Sequence, residues 1–354
     1  MMKKTTECLE AGIEKGLHLG AQVCIARDGE VSESFAVGEN QPEQPLSTDQ
    51  AMLWMSSGKP LLPVAIARLV ERGLLDFDDP LAEYLPDFSQ DGKEKMTIAD
   101  MLTHRGGLRH ADRIQGSSVD EIVEKICALS IEPRWQVGQT AGYHLGGTWL
   151  LLGSMLEKVT GDSIESIYEN ELFRPLGIQG CGIAGGKTLS VFDTNQGQVR
   201  PHPAYGYGPE MVMARPGRNT WGPASGLAQF YLALRSVLLG QSDYLKPETV
   251  RRLTHRHREG ALDKTFGHIA DFGYGFYLNS AQYESETKKI SYGYGPYASE
   301  GTFGHSGAQS SSGYYDPEHD LVVVWITNGM PGELAHQQRV RSIQSAIYED
   351  LNLT

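Results

Sequence analysis

Apolar residues recur at helical spacing in several separate stretches of the chain. Leu9, Ile13 and Leu17 fall on one face of a helix predicted over residues 5–18. Residues 61–70 are apolar at most positions, which predicts a helix that is buried on most sides. The same spacing predicts further helices over residues 119–129, 149–159, 163–172, 224–239 and 332–351.

Segments rich in β-branched and aromatic residues predict strands near both ends of the chain. Residues 21–26 and 31–37 are separated by a polar turn and predict a hairpin. The run 321–327, Leu-Val-Val-Val-Trp-Ile-Thr, is the strongest strand signal in the sequence. Weaker β-prone segments precede it at 272–278 and 301–316.

The order of these elements predicts an α+β fold. An antiparallel sheet would be flanked by the N- and C-terminal helices, with a mostly helical lobe inserted between its strands. We assign residues 1–80 and 260–354 to the sheet lobe and residues 81–259 to the helical lobe. Residues 188–220, rich in Gly, Pro, Tyr and Arg, predict a long irregular segment near a cleft rim.

The composition of the 354 residues, with 40% hydrophobic and 21% charged, is typical of an ordinary globular protein. The net charge of -13 argues against nucleic acid or an anionic membrane surface as the main partner. A local exception is the basic run 251–258, which predicts an exposed helix end rather than a binding patch.

Cysteine usage and the N-terminus bear on the compartment. Cys8, Cys24, Cys127 and Cys181 show no metal-ligand or redox-motif spacing, and scattered cysteines suit a reducing compartment. The basic N-terminus has no apolar segment after it, and no stretch reaches transmembrane length. We therefore expect a cytoplasmic protein.

Candidate chemistry begins at Ser56 and Lys59, three residues apart at the start of the apolar helix. On one face of a first helical turn a hydroxyl and an amine can meet, and a lysine with a lowered pKa can activate a serine nucleophile. The free N–H groups of a helix start favour an oxyanion there. The Ser-x-x-Lys spacing also arises by chance, as at 285–288, which lies in a polar stretch that predicts a loop.

Four short motifs follow one another along the chain: SSGK at 56–59, LTHRGGL at 102–108, GYH at 142–144 and GHSG at 304–307. Together they resemble the serine β-lactamase and penicillin-binding-protein superfamily, whose signature begins with Ser-x-x-Lys. The nearer resemblance is to its class C-like branch, which includes the family VIII carboxylesterases. It extends over about residues 21–328 and implies a β-lactamase/transpeptidase-like fold with the active site between the lobes.

The resemblance implies catalytic roles for the first and third motifs. Ser56 would be the acylated nucleophile, and Lys59 would take or share its proton. Tyr143 matches the tyrosine of the family's Tyr-x-Asn element and would act with Lys59 as base, then as acid to the leaving group. Such proton transfer contributes about 10²–10⁴-fold. The alternative for Tyr143 is a tyrosine that packs at a helix start, and His104 is expected to be structural.

The fourth motif occupies the place of the family's Lys-Thr-Gly strand. His305, Ser306 and Gly307 would bind the substrate along the strand edge. The N–H of Ala308 would join that of Ser56 in the oxyanion hole, where losing one donor costs on the order of 10²–10³ in rate. The alternative for His305 is a strand histidine whose hydrogen bonds are satisfied within the protein.

Two departures from the family pattern favour esters over β-lactams. The third motif continues as Tyr143-His144-Leu145 and lacks the asparagine of Tyr-x-Asn. His305 replaces the lysine that faces a β-lactam carboxylate, and a neutral histidine is a weaker anchor for an anion. We therefore expect a serine hydrolase that works through an acyl-enzyme, a carboxylesterase on small esters, with neutral esters preferred over carboxylated ones.

Other functions stay open from the sequence. The alternatives are a weak β-lactamase, a D-alanyl-D-alanine peptidase and a non-catalytic binding module with the same fold. The lack of a secretion signal argues against the peptidase, and the intact Ser56, Lys59 and Tyr143 argue against the module. The expected partner is a small-molecule ester, and the proposed chemistry needs neither a metal nor an organic cofactor. The sequence does not indicate an oligomeric state.

Overall fold

The computed structural model describes residues 2–185, 189–205 and 211–354. Its strands in chain order are β1 (Gly20–Arg27), β2 (Glu30–Gln41), β3 (Gln44–Pro45), β4 (Met52–Leu53), β5 (Gly182–Ile183), β6 (Phe192–Asp193), β7 (Arg200–Pro201), β8 (Thr220–Gly222), β9 (Tyr277–Leu278), β10 (Phe303–Gly307), β11 (Ser311–Asp316), β12 (Leu321–Thr327) and β13 (Gly329–Met330). The helices are α1 (Lys3–Glu14), α2 (Leu61–Glu71), α3 (Ile98–Leu102), α4 (Val119–Cys127), α5 (Gly147–Thr160), α6 (Ile164–Tyr168), α7 (Ala224–Leu238), α8 (Pro247–Thr254) and α9 (Glu333–Asp350).

A seven-stranded antiparallel sheet joins the two ends of the chain. Its order is β3-β2-β1-β12-β11-β10-β9, so the N-terminal hairpin pairs directly with the C-terminal strands through β1 and β12. The predicted α+β class and the sheet built from both chain ends are confirmed. Two further sheets, each of three short strands, are β13-β6-β7 and β4-β8-β5.

The sheet is covered by helices on both faces, and β12 shows why its sequence is apolar at nearly every position. Val323 and Trp325 pack in a core shared with α1 and α9, whereas Val324 and Ile326 pack in the core that includes α7. Successive side chains of a strand point to opposite faces, so a central strand with both faces covered needs an unbroken apolar run.

The predicted helices are present with ends shifted by a few residues, and two predictions need correction. The helix predicted over 163–172 is α-helical only in α6 and continues as a π-turn, Glu169–Phe173. The basic run 251–258 is not simply an exposed helix end. It leaves α8 after Thr254, and Arg258 is buried against Asp263, with its Nη2 2.8 Å from the carboxylate.

The lobe boundaries 1–80, 81–259 and 260–354 stay a prediction. Helix α7 lies within residues 81–259, yet it packs on the sheet, where Ala224 donates its N–H to Gln22 Oε1. Within the predicted irregular segment, residue 188 and residues 206–210 lie outside the described residues. The rest contains the short strands β6 and β7, with a 3-10 turn at Asn195–Gly197 between them, before β8. In the described ranges, no helix has the length and apolar character needed to cross a bilayer.

Candidate active site

Ser56 lies on a single 3-10 turn, Met55–Gly58, that directly precedes α2. The sequence predicted the first turn of the helix itself, but Pro60 has no N–H and α2 begins after it. The tighter turn still places residues three apart on one side, so Ser56 faces Lys59. Met55 has φ +53°, a conformation that costs free energy for a residue with a side chain and that clusters at functional sites.

The turn that carries Ser56 is fixed to the sheet by short contacts. Ser57 Oγ lies 2.9 Å from Ser311 Oγ, and Ser311 donates its hydroxyl to the Trp54 carbonyl at 2.6 Å. Gly307 lies against the same turn. A Cβ at Gly307 would stand 2.5 Å from the Trp54 oxygen and 2.9 Å from Met55 Cβ. The absence of a side chain at Gly307 therefore sets the distance between β10 and the nucleophile.

We expect Gly307→Ala to lower kcat for ester hydrolysis at least tenfold and to lower the melting temperature, since over-packing a filled site costs about 1–3 kcal/mol. Gly293→Ala is the matched control, because the atom nearest to its added Cβ is 3.5 Å away. Both variants are assayed for kcat and for thermal unfolding. If Gly307→Ala behaved like Gly293→Ala, β10 would not set the position of Ser56.

Lys59 is fully buried directly beneath Ser56. Its Nζ lies 3.2 Å from Ser56 Oγ, 2.5 Å from the Leu145 carbonyl and 2.9 Å from the Gly217 carbonyl. Gly217 has φ +69°, and a Cβ there would lie 2.5 Å from Lys59 Cγ. Carbonyl oxygens only accept hydrogen bonds, so the Lys59 amine donates one N–H to Leu145 and one to Gly217. The remaining position on its nitrogen faces Ser56.

Burial lowers the pKa of Lys59 to about 7. The charge of Asp112 opposes this effect, and the charge of Arg218 adds to it. The neighbouring histidines have pKa values far below neutrality because they too are buried, about 4 for His144 and about 3 for His305. Lys59 is therefore the group of this cluster that changes charge near pH 7.

A base that must be neutral predicts the direction of the pH dependence. We expect kcat/KM to rise about tenfold per pH unit below pH 7 and to level off above it, as Lys59 loses its proton. Asp112→Asn removes the charge that raises the lysine pKa, so it should move the midpoint to lower pH. A profile that is flat or falling between pH 5 and pH 8 would exclude neutral Lys59 as the base.

Asp112 also holds the loop that supplies one of the carbonyls bound to Lys59. Its carboxylate accepts the N–H groups of Leu145, Gly146 and Gly147 at 2.6–2.7 Å, directly where α5 begins. A carboxylate suits this place because the first N–H groups of a helix have no partner within it and carry a positive partial charge. Asp112 thereby fixes the Leu145 oxygen over Lys59.

Tyr143 is buried beside Ser56, and its backbone is held by Asp263 and Thr265. Asp263 accepts the Tyr143 N–H at 3.1 Å, and Thr265 donates its hydroxyl to the Tyr143 carbonyl at 2.8 Å. The buried Arg258 balances the Asp263 charge. Burial raises the pKa of the Tyr143 phenol well above its ordinary value, and a hydrogen bond with Ser56 opposes part of this effect. The phenol is therefore protonated at neutral pH.

The His305 ring lies in the same aromatic cluster, with its centroid 5.7 Å from that of Tyr143. Its Nδ1 lies 2.8 Å from the Ser306 carbonyl, which only accepts, so this nitrogen carries the proton. Its Nε2 is buried without a partner among the described residues. The Ser306 hydroxyl donates to the Tyr292 carbonyl at 2.9 Å. His305 thus presents a neutral ring at the site.

The turn after β10 carries Ala308 and is held from beneath by Arg339 of α9. The Arg339 guanidinium is buried and donates to the carbonyls of Gln309 at 3.0 Å and Gly329 at 3.1 Å. Burial lowers its pKa to about 9, so it is still a cation at neutral pH. Gln309, the residue after Ala308, has φ +47° and is therefore in the left-handed region.

These elements enclose a cavity of about 320 Å³ with Ser56 in its wall. Its lining is mainly aromatic, with the rings of Tyr143, Phe266, Phe272, Tyr277 and Tyr292. Leu145, at the place of the missing asparagine, is 54% exposed and lines both this cavity and an adjoining groove of about 750 Å³. In the part of the chain that the structure describes, no cluster of His, Cys, Asp or Glu is suited to a metal ion.

The structure brings the predicted site residues together. Ser56, Tyr143, His305, Ser306 and Ala308 all line the one cavity, while Lys59 lies beneath Ser56 and Gly307 behind it. His104 lies outside the cavity lining and accepts the His144 N–H at 3.1 Å with its Nδ1. Sequence reasoning missed four supporting residues: Asp112, Gly217, Asp263 and Arg339.

Comparison with known proteins agrees with the geometry. Residues 6–347 match the family described as Beta-lactamase. Esterase EstB of Burkholderia gladioli is 26% identical over 363 residues, which cover 89% of this chain and 88% of EstB. Esterase/beta-lactamase LipL of Mycobacterium tuberculosis is 32% identical over 137 residues, 38% of this chain and 32% of LipL.

The fold has close counterparts among solved structures. EstCE1, described as a hydrolase with promiscuous acyltransferase activity, superposes with a TM-score of 0.81. The two sequences are 21% identical, and the match covers 98% of each chain. This likeness concerns the fold, since the identity is low.

Proposed function

We propose that this chain, which belongs to the beta-lactamase family and is a serine hydrolase, is a carboxylesterase acting on small esters that carry no carboxylate. The observation that carries the proposal is the character of the cavity around Ser56. Aromatic rings and a neutral histidine line it, and no cation is found among the described residues of its wall. Esterase EstB, which matches most of the chain, supports the same conclusion.

The proposed reaction has two half-reactions at Ser56. The neutral Lys59 amine takes the Ser56 proton while Oγ attacks the ester carbonyl, and the oxyanion accepts hydrogen bonds from the N–H groups of Ser56 and Ala308. Tyr143 then donates its proton to the departing alkoxide, and Lys59 returns a proton to Tyr143. In the second half-reaction Lys59 takes the Tyr143 proton, and the phenolate takes a proton from the water that attacks the acyl carbonyl. Protonated Lys59 then returns a proton to Ser56 Oγ, which releases the acid and restores Ser56.

The electrostatics divide the proton transfer between the two residues. Tyr143 is protonated at neutral pH because burial raises its pKa, so it suits the role of acid. Lys59 has a pKa of about 7 and is partly neutral at that pH, so it suits the role of base. The sequence-based expectation had Tyr143 act with Lys59 as base and then as the acid, whereas the pKa values favour Lys59 alone as the base.

The same features of the site favour esters over β-lactams and D-alanyl-D-alanine peptides. Such substrates carry a carboxylate, and His305 offers it a neutral ring with a pKa near 3. The Leu145 side chain has no amide group with which to hold a substrate side chain. Weak β-lactam hydrolysis is the second candidate, because the relative LipL is named an esterase/beta-lactamase. A binding module without activity is opposed by the Ser56–Lys59 contact at 3.2 Å.

A substrate panel tests the proposal. We expect p-nitrophenyl esters of short acids to be hydrolysed with kcat/KM at least a hundredfold above that for a chromogenic cephalosporin, measured with the same preparation at pH 8. A matched pair of esters, one neutral and one carboxylated, should favour the neutral member. If the cephalosporin were the better substrate, the esterase proposal would fail and a β-lactamase would replace it.

A further inference from the structure

We propose that the cavity beside Ser56 selects esters that carry a cationic ammonium group, which the Glu333 carboxylate and a row of aromatic rings would bind. The inference rests on the proposed esterase function and names its substrate class. Glu333 lies in the first turn of α9 and lines the same cavity as Ser56.

A continuous path of aromatic rings connects the nucleophile with this carboxylate. The Tyr143 and Phe266 rings stack with centroids 4.8 Å apart, and the Phe266 and Tyr292 centroids are 6.4 Å apart. Tyr292 donates its hydroxyl to Glu333 Oε2 at 2.7 Å. Aromatic faces attract ammonium groups, and recognition of quaternary ammonium ligands commonly uses several rings together. A substrate at Ser56 can therefore extend along rings that end at a negative charge.

The charge of the cavity wall favours a cationic substrate over an anionic one. Among the described residues that line the cavity, Glu333 is the one with a formal charge, because His305 is neutral and Tyr143 is protonated. A carboxylated substrate would meet this charge with no cation to offset it. A substrate ammonium would be attracted by it, and the net charge of -13 adds a weaker long-range attraction that salt screens.

The Glu333 carboxylate is held in place and keeps room for another partner. Gln309 Nε2 lies 3.2 Å from Oε1, and Gln309 Oε1 in turn accepts the Gly332 N–H at 2.7 Å. A carboxylate has about four lone-pair positions, and the donors from Tyr292 and Gln309 occupy two of them. The side chain is exposed, so a bound cation would interact with it through partly screened charges.

Isosteric substrates test the proposal directly. A choline ester and the 3,3-dimethylbutyl ester of the same acid differ only in a quaternary nitrogen or carbon. On the acyl side, p-nitrophenyl 4-(trimethylammonio)butanoate pairs with p-nitrophenyl 5,5-dimethylhexanoate. The measured quantity is the ratio of kcat/KM, cationic over neutral, at low ionic strength in wild type, Glu333→Gln and Glu333→Lys. Glu248→Gln is the control, since Glu248 is also an exposed first-turn glutamate, in α8 outside the cavity.

In at least one pair, wild type should favour the cationic member. Glu333→Gln should reduce that ratio about threefold and Glu333→Lys about fivefold, as expected for an exposed ion pair. The kcat/KM of the neutral member should stay within about twofold of wild type. Glu248→Gln should leave the ratio unchanged, and added salt should reduce it.

The substrate pairs distinguish failure of the ammonium-site proposal from failure of the esterase proposal. If wild type hydrolysed the neutral esters but the Glu333 variants left both ratios where Glu248→Gln leaves them, the ammonium site would be wrong and the esterase proposal would stand. If wild type hydrolysed neither member of either pair, both proposals would be overturned.

Discussion

Ser56→Ala should abolish ester hydrolysis and leave the protein folded. The substitution removes the only atom proposed to attack the ester, and the remaining groups cannot form an acyl-enzyme without it. The Ser56 side chain is partly exposed to the cavity, and its neighbours Ser57 and Ser311 keep the turn in place. We expect activity to fall by at least about 10³-fold, with the melting temperature within a few degrees of wild type.

The chain contains its own control for this experiment. Ser285 belongs to the second Ser-x-x-Lys match, and the structure confirms the predicted loop: Ser285 is exposed and its Oγ accepts the Lys288 N–H at 3.1 Å. Ser285→Ala should therefore keep full activity. Residual turnover above a few per cent in a well-folded Ser56→Ala would show that Ser56 is not the nucleophile.

Lys59→Ala and Tyr143→Phe should each lower kcat by about 10²–10⁴-fold with little change in KM. Both residues are proposed to move protons in the transition state and not to contribute to binding of the substrate in its ground state, so KM should change little. Because they serve one path, the double variant should lose far less than the product of the two single losses. The measurements are steady-state kcat and KM for one p-nitrophenyl ester in all four proteins.

Tyr168→Phe is the matched control for the loss of a buried phenol. The Tyr168 hydroxyl is buried in the helical core and has no partner among the described residues. Its removal should leave kcat unchanged. A double variant whose loss equalled the product of the single losses would mean that Lys59 and Tyr143 act independently.

The sequence predicted the fold well where a segment is apolar at most of its positions. The unbroken apolar run of β12 and the apolar helix α2 were both recognisable, because each is buried on most sides. Local chemistry altered details that periodicity does not encode. Ser56 lies on a 3-10 turn that ends before Pro60 and not on the helix itself, and Arg258 is buried with Asp263, five residues later, as its ion-pair partner.

The candidate site was predictable as far as its residues stand in short motifs. Ser56, Lys59, Tyr143 and His305 each belong to such a motif, whereas Asp112 and Asp263 act through backbone N–H groups of distant segments. Nothing in the local sequence marks a carboxylate that accepts hydrogen bonds from a loop more than thirty residues away. Glu333 was missed for a similar reason, since its approach to the cavity depends on how α9 packs.

Detection of the covalent intermediate is the most direct test of the proposed role of Ser56. The enzyme is mixed with excess p-nitrophenyl butyrate, quenched in acid within the first turnovers, digested and examined by peptide mass spectrometry, with Tyr143→Phe alongside to slow deacylation. We expect one butyryl group on the peptide that contains Ser56 in wild type and in Tyr143→Phe, none on that peptide in Ser56→Ala, and none on Lys59 in any of the three proteins. A butyryl group on a different serine, or rapid ester turnover with no acyl-enzyme at any time, would contradict an acyl-enzyme mechanism at Ser56.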